Sequence, residues 1–191
     1  MLSKIILIVI FVVIIILAKG MKNILPDEVI IIERNGSFHS TLNKGIHFLI
    51  PFVDKVKLIP WQVSYEADSK TRTLYKDELV DRLYLKEQTL ELFQKTLANK
   101  VLVMTIFLQI EDPVKLAYSD NFISKLPDLV YNSTKEVYEG LSEEQKKDIK
   151  YYNDFLSKLN EQTKNFGCKI NKIILKEEDS KKYDLSFYLK K

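Results

Sequence analysis

Two histidines, one cysteine and five glycines are what the 191 residues offer for metal, nucleophile or phosphate-loop chemistry. His39 and His47 stand eight positions apart across an expected turn. With a carboxylate they could make a two-histidine metal site. The preferred reading of His47 is plainer: a turn or strand-end residue hydrogen-bonded to backbone. Cys168 has no histidine or acidic pattern beside it and reads as a small buried hydrophobe, not a nucleophile. A single cysteine leaves no disulfide framework within the chain and no cysteine-based zinc site. The glycines are scattered, so no loop cradles a phosphate, and no Gly-x-Ser-x-Gly elbow occurs. The expectation is therefore no catalytic residue, no metal ligand and no cofactor. A small hydrolase or metal enzyme is the least favoured functional class.

Composition narrows the field further. Apolar residues make up 46% of the chain, too many for a disordered one. The formal charge is +3. Without Lys4 and Lys19 the remainder carries 27 basic and 26 acidic residues, scattered rather than striped. A nucleic-acid binder needs clustered surplus cations to displace counterions, so no nucleic-acid partner is expected.

Ile5 to Ala18 is an unbroken apolar run of fourteen residues with no charge, Pro or Gly. As a helix it spans about 21 Å, against a bilayer core of ~30 Å. Extension back to Leu2 gives about 26 Å, with Lys4 reaching for headgroups. Such a run, apolar on every face, is expected to be a single-pass N-terminal anchor over residues 1–20, with Ile5, Ile8, Phe11, Val12, Ile15 and Ala18 in lipid. A cleaved signal peptide ranks second, because Ala18 and Gly20 put small residues before a cut at Met21. Lys4 on one side is balanced by Lys19 and Lys22 on the other, so the sequence does not choose an orientation.

The elements that follow read as strands first and helices second. Val29 to Ile32 is β-branched throughout, and Asn35-Gly36 is the strongest two-residue hairpin signal. Ser37–Leu42 alternates, Asn43-Lys44-Gly45 turns, and Ile46–Phe52 is another apolar strand with Pro51 marking an edge or a bend. Lys55–Ile59 alternates until Pro60 breaks it. The reading is an antiparallel meander. Residues 65–82 are half charged and read as a surface excursion or insertion with one short helix. Lys100–Ile110 reads as a central strand covered on both faces. Asp112 caps a helix that Pro113 opens. A second helix is expected to begin at Pro127 and stop at Gly140. Ser142 to Gln145 is a capping box for a third, burying Ile149, Tyr152, Leu156 and Leu159. Cys168–Leu175 closes as a strand, and residues 177–191 form a short polar tail. The expected class is α+β over residues 27–176.

These residues resemble the SPFH or Band 7 superfamily, named for stomatin, prohibitin and flotillin. An apolar N-terminal run leads into Glu28-Val29-Ile30 and Glu33-Arg34-Asn35-Gly36. Gly45-Ile46-His47-Phe48-Leu49-Ile50-Pro51-Phe52-Val53-Asp54-Lys55-Val56 is similar to the signature of stomatin-like members. Leu85 to Gln88, Ile110-Glu111-Asp112-Pro113 with Ala117-Tyr118, and Asn165-Phe166-Gly167 match later family segments. Lys44 replaces the usual Pro, Asn99 the usual Asp, and Cys168 an apolar β-branched residue. Only sixteen residues follow Leu175, too few for the coiled-coil stalk that drives large assemblies in the family. The resemblance implies a non-enzymatic, membrane-anchored scaffold. It would self-associate or join other membrane proteins, organising lipid microdomains or regulating a membrane protease or channel.

Two further expectations come from the residues. Phe48, Leu49, Ile50 and Phe52 could dip into the membrane interface, although a buried core strand is the commoner fate of such a run and is preferred. Edge strands and the helix from Glu143 to Phe166 are the expected contact surfaces for self-association. The rival functional class is a secreted or periplasmic binding domain released by signal cleavage.

Overall fold

The computed structural model describes residues 20–66, 73–95, 100–139, 141, 142, 144, 145 and 148–179, with Lys4, Ile6, Leu7, Ile10 and Phe11. The chain divides into two compact units, Met1–Ile59 with Val80–Leu85, and Pro60–Leu79 with Lys86–Lys191.

The first unit is built around a strand with no exposed face. β2 (Glu28–Arg34) buries every residue from Glu28 to Ile32. It pairs antiparallel with β3 (Ser37–Leu42), β5 (Asp54–Val56) and the two-residue β8 (Leu83–Tyr84). The β2–β3 connection is the expected hairpin, with Asn35 and Gly36 both at positive φ. β1 (Met21–Ile24), unassigned from the sequence, pairs with β4 (Gly45–Phe48). The chain after β3 therefore leaves for β1 and does not continue the meander. Ile24, Ile30, Ile32 and Leu49 form the core here, with Leu42 and Val56 against it. The buried Glu28 carboxylate accepts from the Leu25 amide and from Arg82, both at 3.0 Å. Desolvation pushes its pKa up, but the Leu25 amide, Tyr84 and Arg82 outweigh that and hold it below the usual carboxylate range.

The second unit carries the sheet β11–β10–β9, formed by Cys168–Asp179, Lys100–Ile110 and Gln88–Lys95. Leu102, Met104, Ile106, Leu108 and Ile110 are buried on one face of β10. The other face is only partly covered: Val103 is buried, Thr105 and Phe107 are half-buried and Gln109 is exposed. The expectation of two covered faces thus holds for one. β6 (Ile59–Glu66) and β7 (Thr73–Val80) pair as a ribbon. Strands thus replace the expected excursion, β6 runs through Pro60, and residues 67–72 lie outside the described residues.

Among the described residues three α-helices complete this unit. α1 (Pro113–Tyr118) starts as expected, with the Asp112 carboxylate accepting from the Lys115 amide. α2 (Phe122–Tyr138) begins five residues earlier than Pro127 and carries that proline inside it. Pro127 removes one amide donor, but buried Phe122, Ile123, Leu126 and Val130 hold the turns on both sides of it. The capping box does form between Ser142 and Gln145. α3 nevertheless starts later, at Ile149, with Asp148 as its cap, and ends at Thr163. Its buried residues are Phe155, Leu159 and Thr163, whereas Ile149 is exposed. Six residues at ~100° each put position 149 about 240° from Phe155, well off the buried face. α3 packs on α2 and on β11.

The margins of this sheet are closed by side chains. Gln62 bonds both the amide and the carbonyl of Glu91 on β9, at 2.9 and 3.0 Å. Asn160 does the same for Ile170 on β11, at 2.7 and 2.9 Å, and the Tyr152 hydroxyl bonds the Ile173 amide and carbonyl. A bulge at Asn171 lets the main-chain groups of both Ile170 and Ile173, three residues apart, bond side chains of α3.

Candidate functional site

The His47 ring bonds the Asn43 carbonyl through Nε2 at 2.7 Å, the strand-end role preferred from the sequence. His39 is the extra residue of a bulge between β2 and β3 and is exposed. Among the described residues, no three His, Cys, Asp or Glu side chains are grouped to hold a metal ion. Cys168 is buried, and burial pushes its thiol up to about 12. At pH 8 only about one molecule in 10⁴ would then carry the reactive thiolate. Ellman's reagent is expected to leave Cys168 untouched in the native protein and to titrate it fully in guanidinium chloride.

What stands out is an apolar surface on the first unit. Along β4 and the turn after it, side chains alternate outward and inward. Ile46 is 73% exposed, Phe48 49% and Ile50 47%, whereas Leu49 between them is only 9% exposed and belongs to the core. Phe52 is 93% exposed. Met21 pairs with Phe48 across the β1–β4 ladder and is exposed as well, so Met21, Ile46 and Phe48 line the outer face of that ribbon. The preferred expectation of a buried strand over Ile46–Phe52 is thus corrected, and so is the place of Leu49 in the proposed interface contact. Composition alone could not separate these residues; the strand alternation through Leu49 could have done so. The sequence reading also missed Met21, because β1 was not assigned.

The backbone makes this exposure costly and deliberate. Ile50, Pro51, Phe52 and Val53 form a turn with a Val53 amide to Ile50 carbonyl bond of 3.2 Å, reinforced by the Asp54 amide at 2.9 Å. Proline at the second position and positive φ at the third are the pattern of a type II turn, where Gly or Asn normally holds the third place. Here that place is Phe52, at φ 68°. A non-glycine residue in this region costs of order 1 kcal/mol. With 93% of it exposed, the ring gains no core packing in return.

An ion pair fixes the same turn. Asp54 Oδ2 accepts from the Ile50 amide at 2.8 Å, and Oδ1 accepts from Arg34 Nε and Nη2, each at 2.8 Å. Arg34 and Asp54 face each other in the β2–β5 register. The Ile50 amide first, and Arg34 after it, hold the Asp54 carboxyl below the usual carboxylate range. Gly20 closes the other end of the surface. Its carbonyl accepts from the Leu49 amide at 2.8 Å, and an added Cβ would lie 2.5 Å from the Leu49 carbonyl oxygen and 3.1 Å from the Phe48 ring. In the sequence the apolar run stops at Ala18, two residues before Gly20.

A model of the SPFH domain / Band 7 family matches residues 22–183, most of the chain. The chain belongs to the SPFH domain / Band 7 family. The match takes in β1 from its second residue, β2 to β11 and all three helices, so the family's α+β domain reaches into both units. A search among curated proteins finds no match. Members of the SPFH family are generally membrane-associated, non-enzymatic and scaffold-like. Among the described residues no helix is long and apolar enough to cross a membrane. Of the expected anchor residues only Phe11 is described; it is helical and exposed, as are Ile6, Leu7 and Ile10. Ile5, Ile8, Val12, Ile15 and Ala18 lie outside the described residues.

Proposed function

We propose that this SPFH chain is a membrane-anchored scaffold. It is held by residues 1–20 and steadied by the patch of Met21, Ile46, Phe48, Ile50 and Phe52 seated in the lipid interface. It has no catalytic role. Its partners are membrane lipid and other membrane proteins, a membrane protease among them, reached by self-association or by mixed assembly. The exposure of Phe52 on a turn that disfavours it carries the reading. A contiguous apolar surface at the end of an apolar run marks an interaction site. Side chains of this kind contribute roughly 1.5–3 kcal/mol each when taken fully out of water. An uncleaved run is favoured over a signal peptide, because a cut before Met21 removes the Gly20 carbonyl that the Leu49 amide uses.

A nitroxide at position 52 tests this. Phe52→Cys in the full chain offers one reactive thiol, since Cys168 is buried. In reconstituted vesicles the label is expected to be reached readily by oxygen and poorly by a water-soluble nickel complex. The reverse order would show the turn in water and overturn the interfacial seat. Cross-links between copies in native membranes are the matching expectation for self-association, and a strictly monomeric chain would count against it.

A further inference from the structure

The apolar surface has a feature that hydrophobicity alone does not supply. Phe52 sits in a backbone state it would leave if the turn were free, so something must hold the turn. The holding group is the Asp54 carboxylate, which takes the Ile50 amide at the start of the turn on one oxygen and Arg34 of β2 on the other. Both Arg34 contacts converge on Oδ1 and leave Oδ2 to the amide. The guanidinium is thus anchored on the central strand while the carboxylate spans the turn. Arg34 lies two residues beyond the buried stretch Glu28–Ile32, so the strut is attached to the central strand of its sheet.

We infer that Arg34 and Asp54 are positioning residues for membrane contact, clamping the 50–54 turn so that Phe52 is projected away from the first unit. The inference rests on the interfacial reading above and goes beyond it: the depth of Phe52 in lipid is set by the polar strut beneath the turn as well as by the ring. Loss of the carboxylate frees the Ile50 amide and the Arg34 guanidinium together. The turn then relaxes toward negative φ at position 52, and the side chain swings out of its projecting direction. Asp54→Asn retains an oxygen for the Ile50 amide but loses the ion pair, so its effect falls between those of the native residue and Asp54→Ala.

The experiment uses the same position-52 nitroxide in the full chain reconstituted in phosphatidylcholine vesicles. Asp54 and Arg34 are each varied, as Asp54→Ala, Asp54→Asn and Arg34→Gln. The expected result is a graded loss of depth: nickel accessibility rises and oxygen accessibility falls, most for Asp54→Ala. Hydrogen exchange at the Ile30–Ile32 amides keeps its protection, which separates a released turn from an unfolded unit. Unchanged depth in all three variants overturns the clamp while leaving the interfacial reading intact. A label that is already in water with native Asp54 overturns that reading instead. If Asp54→Ala loses Ile30–Ile32 protection, Arg34→Gln decides: native protection with native depth refutes the clamp.

Discussion

Gly167→Ala is expected to destabilise the second unit by about 3–4 kcal/mol. Three effects add. Gly167 has φ 74°, and an alanine in that left-handed region costs about 1–2 kcal/mol. Its Cβ would collide with the Asp112 carbonyl oxygen and stand 2.9 Å from the Asp112 Cβ. Asp112 cannot give way cheaply. Its amide and that of Glu111 both donate to the Gly167 carbonyl at 2.9 Å, and its side chain caps α1, worth roughly 1 kcal/mol. Urea unfolding of the full chain in detergent, followed through Trp61, checks this. Trp61 is the only tryptophan, and it is buried in the same unit with its ring stacked 6.5 Å from Phe122. The midpoint should fall by about 1.5–2 M at a slope near 2 kcal/mol per molar. A shift under about 0.5 M would mean that the Asp112 segment slides freely.

Phe155→Ala should cost about 3–5 kcal/mol, while Ile149→Ala on the same helix should stay within about 0.5 kcal/mol. Phe155 is 1% exposed and its ring lies 5.8 Å from that of Tyr138, so truncation leaves a cavity between α2 and α3. Ile149 is 73% exposed at the helix start. Native-state labelling of Cys168 reports both. The thiol is shut inside the second unit, so its reaction follows opening of that unit, and 3 kcal/mol speeds labelling by roughly a hundredfold. Equal rates for the two variants would return Ile149 to the buried face.

That contrast also shows where sequence reasoning stops. The capping box at Ser142 is real, yet it starts a turn and not the helix; of the positions inferred from it Leu159 is buried as expected, Tyr152 and Leu156 are half-buried and Ile149 is exposed. Asn35-Gly36, Asp112-Pro113 and the alternation of Lys100–Ile110 were legible, because local chemistry alone dictates them. Long-range choices were not. Nothing local pairs β1 with β4, or turns the charged residues of β7 into a ribbon with β6. Pro127 illustrates the same limit, since tertiary contacts at Phe122 and Ile123 extend a helix that propensity would start later. The candidate surface was half visible. The run Ile46–Phe52 was plain, but only the alternation through Leu49 and the positive φ of Phe52 separate its core from its outward face.

Gln62, Asn160 and Tyr152 also bear on how copies of this chain could add to one another. Each occupies the main-chain groups with which a neighbour would extend the three-stranded sheet, at Glu91 on one side and at Ile170 and Ile173 on the other. A second molecule would have to evict a side chain that satisfies donor and acceptor together before it could zip on there. On the scaffold reading proposed above, gathering copies of the protein at a membrane therefore carries little risk of fibril-like stacking from those points.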